Sequence, residues 1–116
     1  MERLTLRIII TYYFIIQIML RELRIYYTFP RKLFRLIDRF ERHTLKLWKN
    51  LGIKSIGFWT TVIGDDNNTL YYMLEWNNLS EREKKWGEIR AATENNKLII
   101  EKIYSQILSP TNFSKL

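Results

Sequence analysis

A chain of 116 residues is too short for two ordinary domains and long enough for one core of modest size. Its 47% apolar and 15% aromatic content argues for a folded chain, and four Gly and two Pro exclude collagen-like or linker-like composition. With no Cys and a single His, disulfides, thiolate metal sites, Cys nucleophiles and a multi-histidine metal site within one chain are ruled out; no metal or cofactor is expected.

The formal charge of +7 is not spread evenly. Residues 1–20 carry +1, residues 21–54 carry ten basic against three acidic side chains, or +7, and residues 55–116 carry seven against eight, or −1. Anionic partners therefore concern the first half of the chain.

Residues 1–20 hold two arginines followed by an apolar run from Ile8 to Leu20 broken by Thr11 and Gln17. The run is shorter than the roughly 20 residues a spanning helix needs, and no small-residue cleavage site follows it. It reads as an element packed on the domain, a short anchor-like segment, or an extension upstream of a natural start at Met19. With Glu2 and no Ser it makes a poor transit peptide, so a cytoplasmic location is expected, with membrane association through residues 1–20 as the alternative.

ELRIYYTF, residues 22–29, alternates and is rich in β-branched and aromatic residues, with Leu23, Ile25, Tyr27 and Phe29 on one face: a first strand. Pro30 reads as a helix start, and apolar residues at helical spacing from Leu33 to Leu51 predict a helix over 31–51 stopped by Gly52. Residues 53–63 predict a second strand, GDDNN at 64–68 a turn, and TLYYMLEW at 69–76 a third strand. Ser80 with Glu83 has the form of a capping box opening a second helix from Glu81 to about Asn95. Residues 97–108 fit either period, and an edge position in a βαβ-like plan favours a strand.

The order β-α-β-β-α-β is the ferredoxin-like split βαβ plan, an α+β fold with a four-stranded antiparallel sheet and two helices on one face. In the third strand Leu70, Tyr72, Leu74 and Trp76 point one way, and Tyr71 and Met73 the other. The face without helices is thus too apolar for a small soluble monomer, which predicts a homodimer through the sheet faces.

Five stretches then become informative together: ELRIYYTFPRKL, FERHTLKLW, LGIKSIGFWTTVIGDDNNTLYYMLEW, LSEREKKW and EKIYSQILSPTNFS. In this order they resemble the NIPSNAP family of the dimeric α+β barrel superfamily, over residues 21–114. The resemblance implies two ferredoxin-like protomers facing each other across their sheets. It draws attention to His43, because the His of FERHTL recurs in the family motif. It also implies kinship with cofactor-independent monooxygenases and haem-degrading enzymes. One departure is that Trp86 leads through GEIRAATENN directly to the last strand, without the longer segment that the family carries there.

His43, on the first helix between Phe40 and Leu47, is expected on or beside the face turned to the sheet, where it could act as acid, base or haem ligand; the ordinary reading is a satisfied, partly buried His. Gly57 leaves room above the sheet beside Trp59, and Tyr72 and Glu75 complete a set of pocket candidates whose ordinary reading is core packing. Arg35, Arg39, Arg42, Lys46 and Lys49 recur at steps of four and three, an anion-docking stripe or simply a solvated face. No phosphate loop, paired-carboxylate motif or Ser-His-Asp order is present. The expected role is a homodimeric small-ligand-binding or protein-interaction module, with weak contact to an anionic membrane surface as a further partner. A monooxygenase-like or haem-binding enzyme is the alternative. Tyr26 or Tyr27 and Tyr71 or Tyr72 occupy the strands that stack bases in RNA-recognition domains, yet the basic-Gly-aromatic signature is missing, so nucleic acid is not an expected partner.

Overall fold

The structure is a computed structural model that describes residues 5–9, 19–92 and 98–116. Residues 5–9 are helical and exposed; apart from these and Met19 and Leu20, the expectations for the N-terminal segment lie outside the described residues. Strand β1 spans Leu20–Thr28, beginning two residues earlier than its pattern suggested because Leu20 already pairs with Trp76. Helix α1 (Leu33–Arg39), a π segment (Phe40–Thr44) and helix α2 (Leu45–Leu51) follow, then β2 (Lys54–Thr60), β3 (Thr69–Trp76), α3 (Leu79–Ala92) and β4 (Ile100–Leu108). The sheet order is β2-β3-β1-β4 with every neighbouring pair antiparallel. Both helical layers lie on one face, over a core of Tyr26, Leu36, Phe40, Trp48, Leu70, Tyr72, Leu74, Trp76, Trp86 and Ile89. This is the predicted ferredoxin-like plan.

Several boundaries differ for local reasons. Pro30 does not begin the helix. It occupies the second position of a turn closed by the Lys32 N–H donating to the Phe29 carbonyl at 3.0 Å, and Arg31 takes the third position at φ 66. That is a type II geometry, in which Pro presets the first central residue and the second needs a positive φ. The helix therefore starts at Leu33. At its far end Gly52 (φ 74) supplies the expected left-handed stop.

The predicted continuous helix is interrupted. The Leu45 N–H reaches back to the Phe40 carbonyl, five residues earlier, so one extra residue is looped into the ladder. In an unbroken helix Phe40 and Trp48, eight residues apart, would stand about 80° apart around the axis. The inserted residue brings them back into line, and both are buried.

The second strand ends at Thr60 rather than residue 63, which lengthens the β2–β3 connection. Helix α3 is capped two residues before the predicted Ser80. The Asn78 Oδ1 accepts from the Glu81 N–H at 2.8 Å, and the Glu81 carboxylate accepts from the Asn77 N–H at 2.8 Å, a reciprocal exchange of capping-box type. The closing segment is a strand; its expected first residue, Lys97, lies outside the described residues.

Candidate functional site

Register decides what each sheet face carries. Cross-strand partners share a face, so Glu22, Arg24 and Tyr26 of β1 lie with Leu74, Tyr72 and Leu70 of β3 on the helix-covered side. Leu23, Ile25 and Tyr27 lie with Met73, Tyr71 and Thr69 on the other. The central strand therefore turns Glu22 and Arg24 into the core, while Leu23, Ile25 and Tyr27, with Arg21 at one end beside Glu75, lie on the side without helices.

On the covered side Glu22 is fully buried and acts as a six-fold acceptor. Its Oε1 receives the indole N–H groups of Trp76 (2.9 Å) and Trp86 (3.0 Å) and the Arg82 Nε at 2.8 Å. Its Oε2 receives Arg82 Nη2 (3.0 Å), Arg24 Nη1 (3.0 Å) and the Ser105 hydroxyl at 2.6 Å. One carboxylate thus joins β1, β3, α3 and β4. Burial opposes its ionisation, but the hydrogen bonds from Arg82, Ser105, Trp86 and Arg24 outweigh that penalty and hold the pKa at about 2 instead of 4.5. The same carboxylate raises the Arg82 pKa.

Arg24 continues the chain of polar contacts. Its guanidinium lies 4.2 Å from the Trp86 ring centroid and donates through Nε to the Tyr72 hydroxyl at 2.8 Å. Tyr72 in turn donates to the Tyr26 hydroxyl at 2.8 Å. Burial works against the Arg24 cation, yet Tyr72, Tyr26 and Glu22 together keep its pKa above the ordinary arginine value. Burial likewise pushes the Tyr72 phenol well up, so it remains a proton donor in hydrogen bonds and not a base.

Beside this network sits an aromatic cluster. Tyr72, Phe40, Trp48 and Phe58 pack with ring centroids 5.3–6.2 Å apart, and Tyr26 meets Tyr72 edge-on at 5.2 Å. The Trp48 indole N–H is buried in the cluster with no hydrogen-bond partner. A buried N–H without an acceptor is costly, and a ligand oxygen or nitrogen could satisfy it.

These geometries separate the residues singled out from the sequence. Tyr72 is at the centre of the covered side. Gly57, Trp59 and Glu75 share the open face, where Trp59 folds back so closely that a Cβ on Gly57 would lie 2.7 Å from its ring, and Glu75 pairs with Arg21 at 3.3 Å. His43 falls in the π segment and is exposed, contrary to the sheet-facing position expected from uniform helical spacing, because the inserted residue changes the phase of the helix at that point. Arg35, Arg42, Lys46 and Lys49 are exposed along the helical layer, with Arg39 half-buried and Arg42 paired to Asp38 at 2.8 Å. Among the described residues no group of three or more His, Asp or Glu is placed to hold a metal ion.

Sequence reasoning passed over Glu22, Arg24, Arg82 and Ser105. The signal available was the period-two pattern Glu22, Arg24, Tyr26 in a strand of a chain with four Trp, whose indole N–H groups need acceptors when buried.

Comparison with known proteins agrees with this architecture. The NIPSNAP family profile matches residues 21–115. The chain belongs to the NIPSNAP family. An uncharacterised NIPSNAP-like domain protein from Burkholderia xenovorans superposes with a TM-score of 0.76 at 22% identity, covering 86% of this chain and 91% of that one. A NIPSNAP family protein from Agrobacterium tumefaciens gives 0.73 at 24% identity, covering 84% and 98%. A Streptomyces coelicolor monooxygenase in complex with nanaomycin D gives 0.63 at 10% identity, covering 83% and 90%, a likeness of fold alone. No curated protein sequence matches this NIPSNAP chain. No helix among its described residues is long and apolar enough to cross a membrane.

Proposed function

We propose that this NIPSNAP protein works as a cytoplasmic homodimer whose two sheets close against each other, serving as a small-ligand-binding or protein-interaction module. The observation that carries the reading is the open face of the sheet. Leu23, Ile25, Tyr27, Tyr71 and Met73 run across its middle, flanked by Trp59 (51% exposed) on β2 and Tyr104 (43%) on β4. An apolar stretch that crosses all four strands suits burial against a second copy about a two-fold axis, with the Arg21–Glu75 pair, Gln106 and Lys102 around it. Sedimentation at micromolar concentration should give twice 14.2 kDa, and Ile25→Asp should give a folded species of half that mass. A wild-type monomer overturns the reading.

Acid–base catalysis is poorly served by the covered side. Glu22 has no proton to give near neutral pH and no lone pair left over, and Tyr72 is held protonated. Ligand binding is better served, because the Trp48 N–H stands unpaired in an aromatic surround. Native mass spectrometry of protein from its source reads dimer and retained ligand together. A retained ligand lost in Trp48→Phe supports binding there, and one retained equally in Trp48→Phe removes Trp48 from the site.

A further inference from the structure

The antiparallel sheet brings three connections to one end of the molecule. Tyr27 pairs with Thr69, Thr60 with Leu70 and Thr28 with Ile100, so the β1–α1 turn, the β2–β3 loop and the entry to β4 are neighbours there. They are tied together by backbone: the Thr28 N–H donates to the Asn68 carbonyl at 2.9 Å and the Phe29 N–H to the Ile99 carbonyl at 3.0 Å, while the Asn68 Oδ1 accepts from the Arg31 N–H at 3.4 Å.

Each connection offers a large apolar side chain to solvent. Val62 and Ile63 at the loop tip are 92% and 95% exposed, Phe34 at the start of α1 is 83% exposed and Leu98 before β4 is 85% exposed. A single exposed hydrophobe needs no explanation, but four from three connections at one end do. None of them belongs to the sheet, so closing two sheets together does not by itself cover them. Among them stand Arg31, Lys32 and Arg35, within residues 21–54, the segment that carries the +7 excess. The acidic groups facing this end are Asp65 and Asp66 of the loop and Glu101 of β4, which is followed by Lys102. Asp66 is turned back to accept from the Asn68 N–H at 2.8 Å.

We infer that this end docks on an anionic bilayer, with Val62, Ile63, Phe34 and Leu98 entering the headgroup region and Arg31, Lys32 and Arg35 contacting lipid phosphates. Separate protruding side chains on loop tips suit a deformable apolar medium, and adjacent cations suit its negative surface. A protein partner would instead call for a continuous, well-packed surface. The inference stands apart from the dimer reading, since it uses neither the open face nor its residues.

Co-sedimentation with phosphatidylcholine vesicles, with and without phosphatidylserine, tests it on the full chain. The wild type should bind the phosphatidylserine vesicles. The double substitution Val62→Asp with Ile63→Asp should cut that binding roughly tenfold or more, and Arg31→Ala with Arg35→Ala should remove most of the preference for phosphatidylserine. Phe113→Ser, beyond the other end of β4, should leave binding unchanged. Circular dichroism and sedimentation of the loop variant should match the wild type, since both replaced side chains are exposed. Absence of wild-type binding, or full binding by the loop variant, overturns the inference. A loop variant of altered oligomeric mass overturns it too, by assigning this end to contact between copies.

Discussion

The two faces of the sheet are built on opposite principles, although they share every strand. On the helix-covered side β1 contributes Glu22, Arg24 and Tyr26, and the burial of charge is made tolerable by saturation: six donors surround one carboxylate. On the open side β1 contributes Leu23, Ile25 and Tyr27, which meet Met73, Tyr71 and Tyr104 without any covering element. An ordinary amphipathic strand would do the reverse, hydrocarbon inward and charge outward. The difference teaches that in this fold the inner layer is fixed by hydrogen bonds of defined geometry, whereas the middle of the outer face carries apolar side chains that no element of the chain covers.

The largest break in that comparison is Glu22→Gln, which leaves the Arg24 cation without its countercharge in a buried setting and Arg82 with Glu83 as its remaining carboxylate. Loss of one partner of a buried ionic cluster costs about 3–5 kcal/mol, so chemical denaturation should show a fold close to its limit of stability. Ile25→Asp, on the opposite face, should by contrast act on mass and far less on monomer unfolding.

Acid should reach the inner network next. The folded pKa of Glu22 lies below the unfolded value, so its contribution is fully present above about pH 4.5 and is lost as pH falls toward 2. A displacement from 4.5 to about 2 corresponds to about 3 kcal/mol, and urea midpoints measured across this window should fall steeply in the wild type and much less in Glu22→Gln.

Gly57→Ala sharpens the account of the outer face. The added Cβ would sit 2.7 Å from the Trp59 ring and must swing the indole away. Because Trp59 is half-exposed, fold stability should change by roughly 1 kcal/mol or less, while self-association should weaken about tenfold in sedimentation equilibrium. The smallest effect concerns neither face. Asn78→Ala removes the cap that receives the Glu81 N–H and should cost roughly 0.5–1 kcal/mol in thermal or urea melts.

Much of the fold was legible in the residues. The alternation in β1 and β3, Gly52 after the first helix and the order of elements all carry local signals of known period. The NIPSNAP kinship was legible as well, because five short stretches held their order along the chain. The errors share a cause. Pro30 reads as a helix start, and the positive φ of Arg31 makes it instead the second residue of a turn. Ser80 has the form of a cap, but it is the Asn78 side chain that accepts the Glu81 N–H. His43 sits at sound helical spacing, but the π segment that aligns Phe40 with Trp48 turns it outward.

The candidate site was less legible than the fold. Gly57, Trp59, Tyr72 and Glu75 lie close along two neighbouring strands, yet the sheet divides them, one to the core and three to the open face. Glu22, Arg24, Arg82, Trp86 and Ser105 are spread over 84 positions of the chain and converge on one carboxylate.

By itself, then, the sequence determined the single-domain size, the absence of cysteine chemistry, the concentration of charge before residue 55 and the order of helices and strands. These follow from composition and from local periodicity, which any segment expresses without its neighbours. Which face of β1 meets the helices was decided only by tertiary structure. So were the seating of a carboxylate among two indoles and two guanidiniums and the gathering of Val62, Ile63, Phe34 and Leu98 at one end. Hydrogen-bond saturation and cross-strand register are properties of groups brought together from distant positions, and no stretch of sequence contains them.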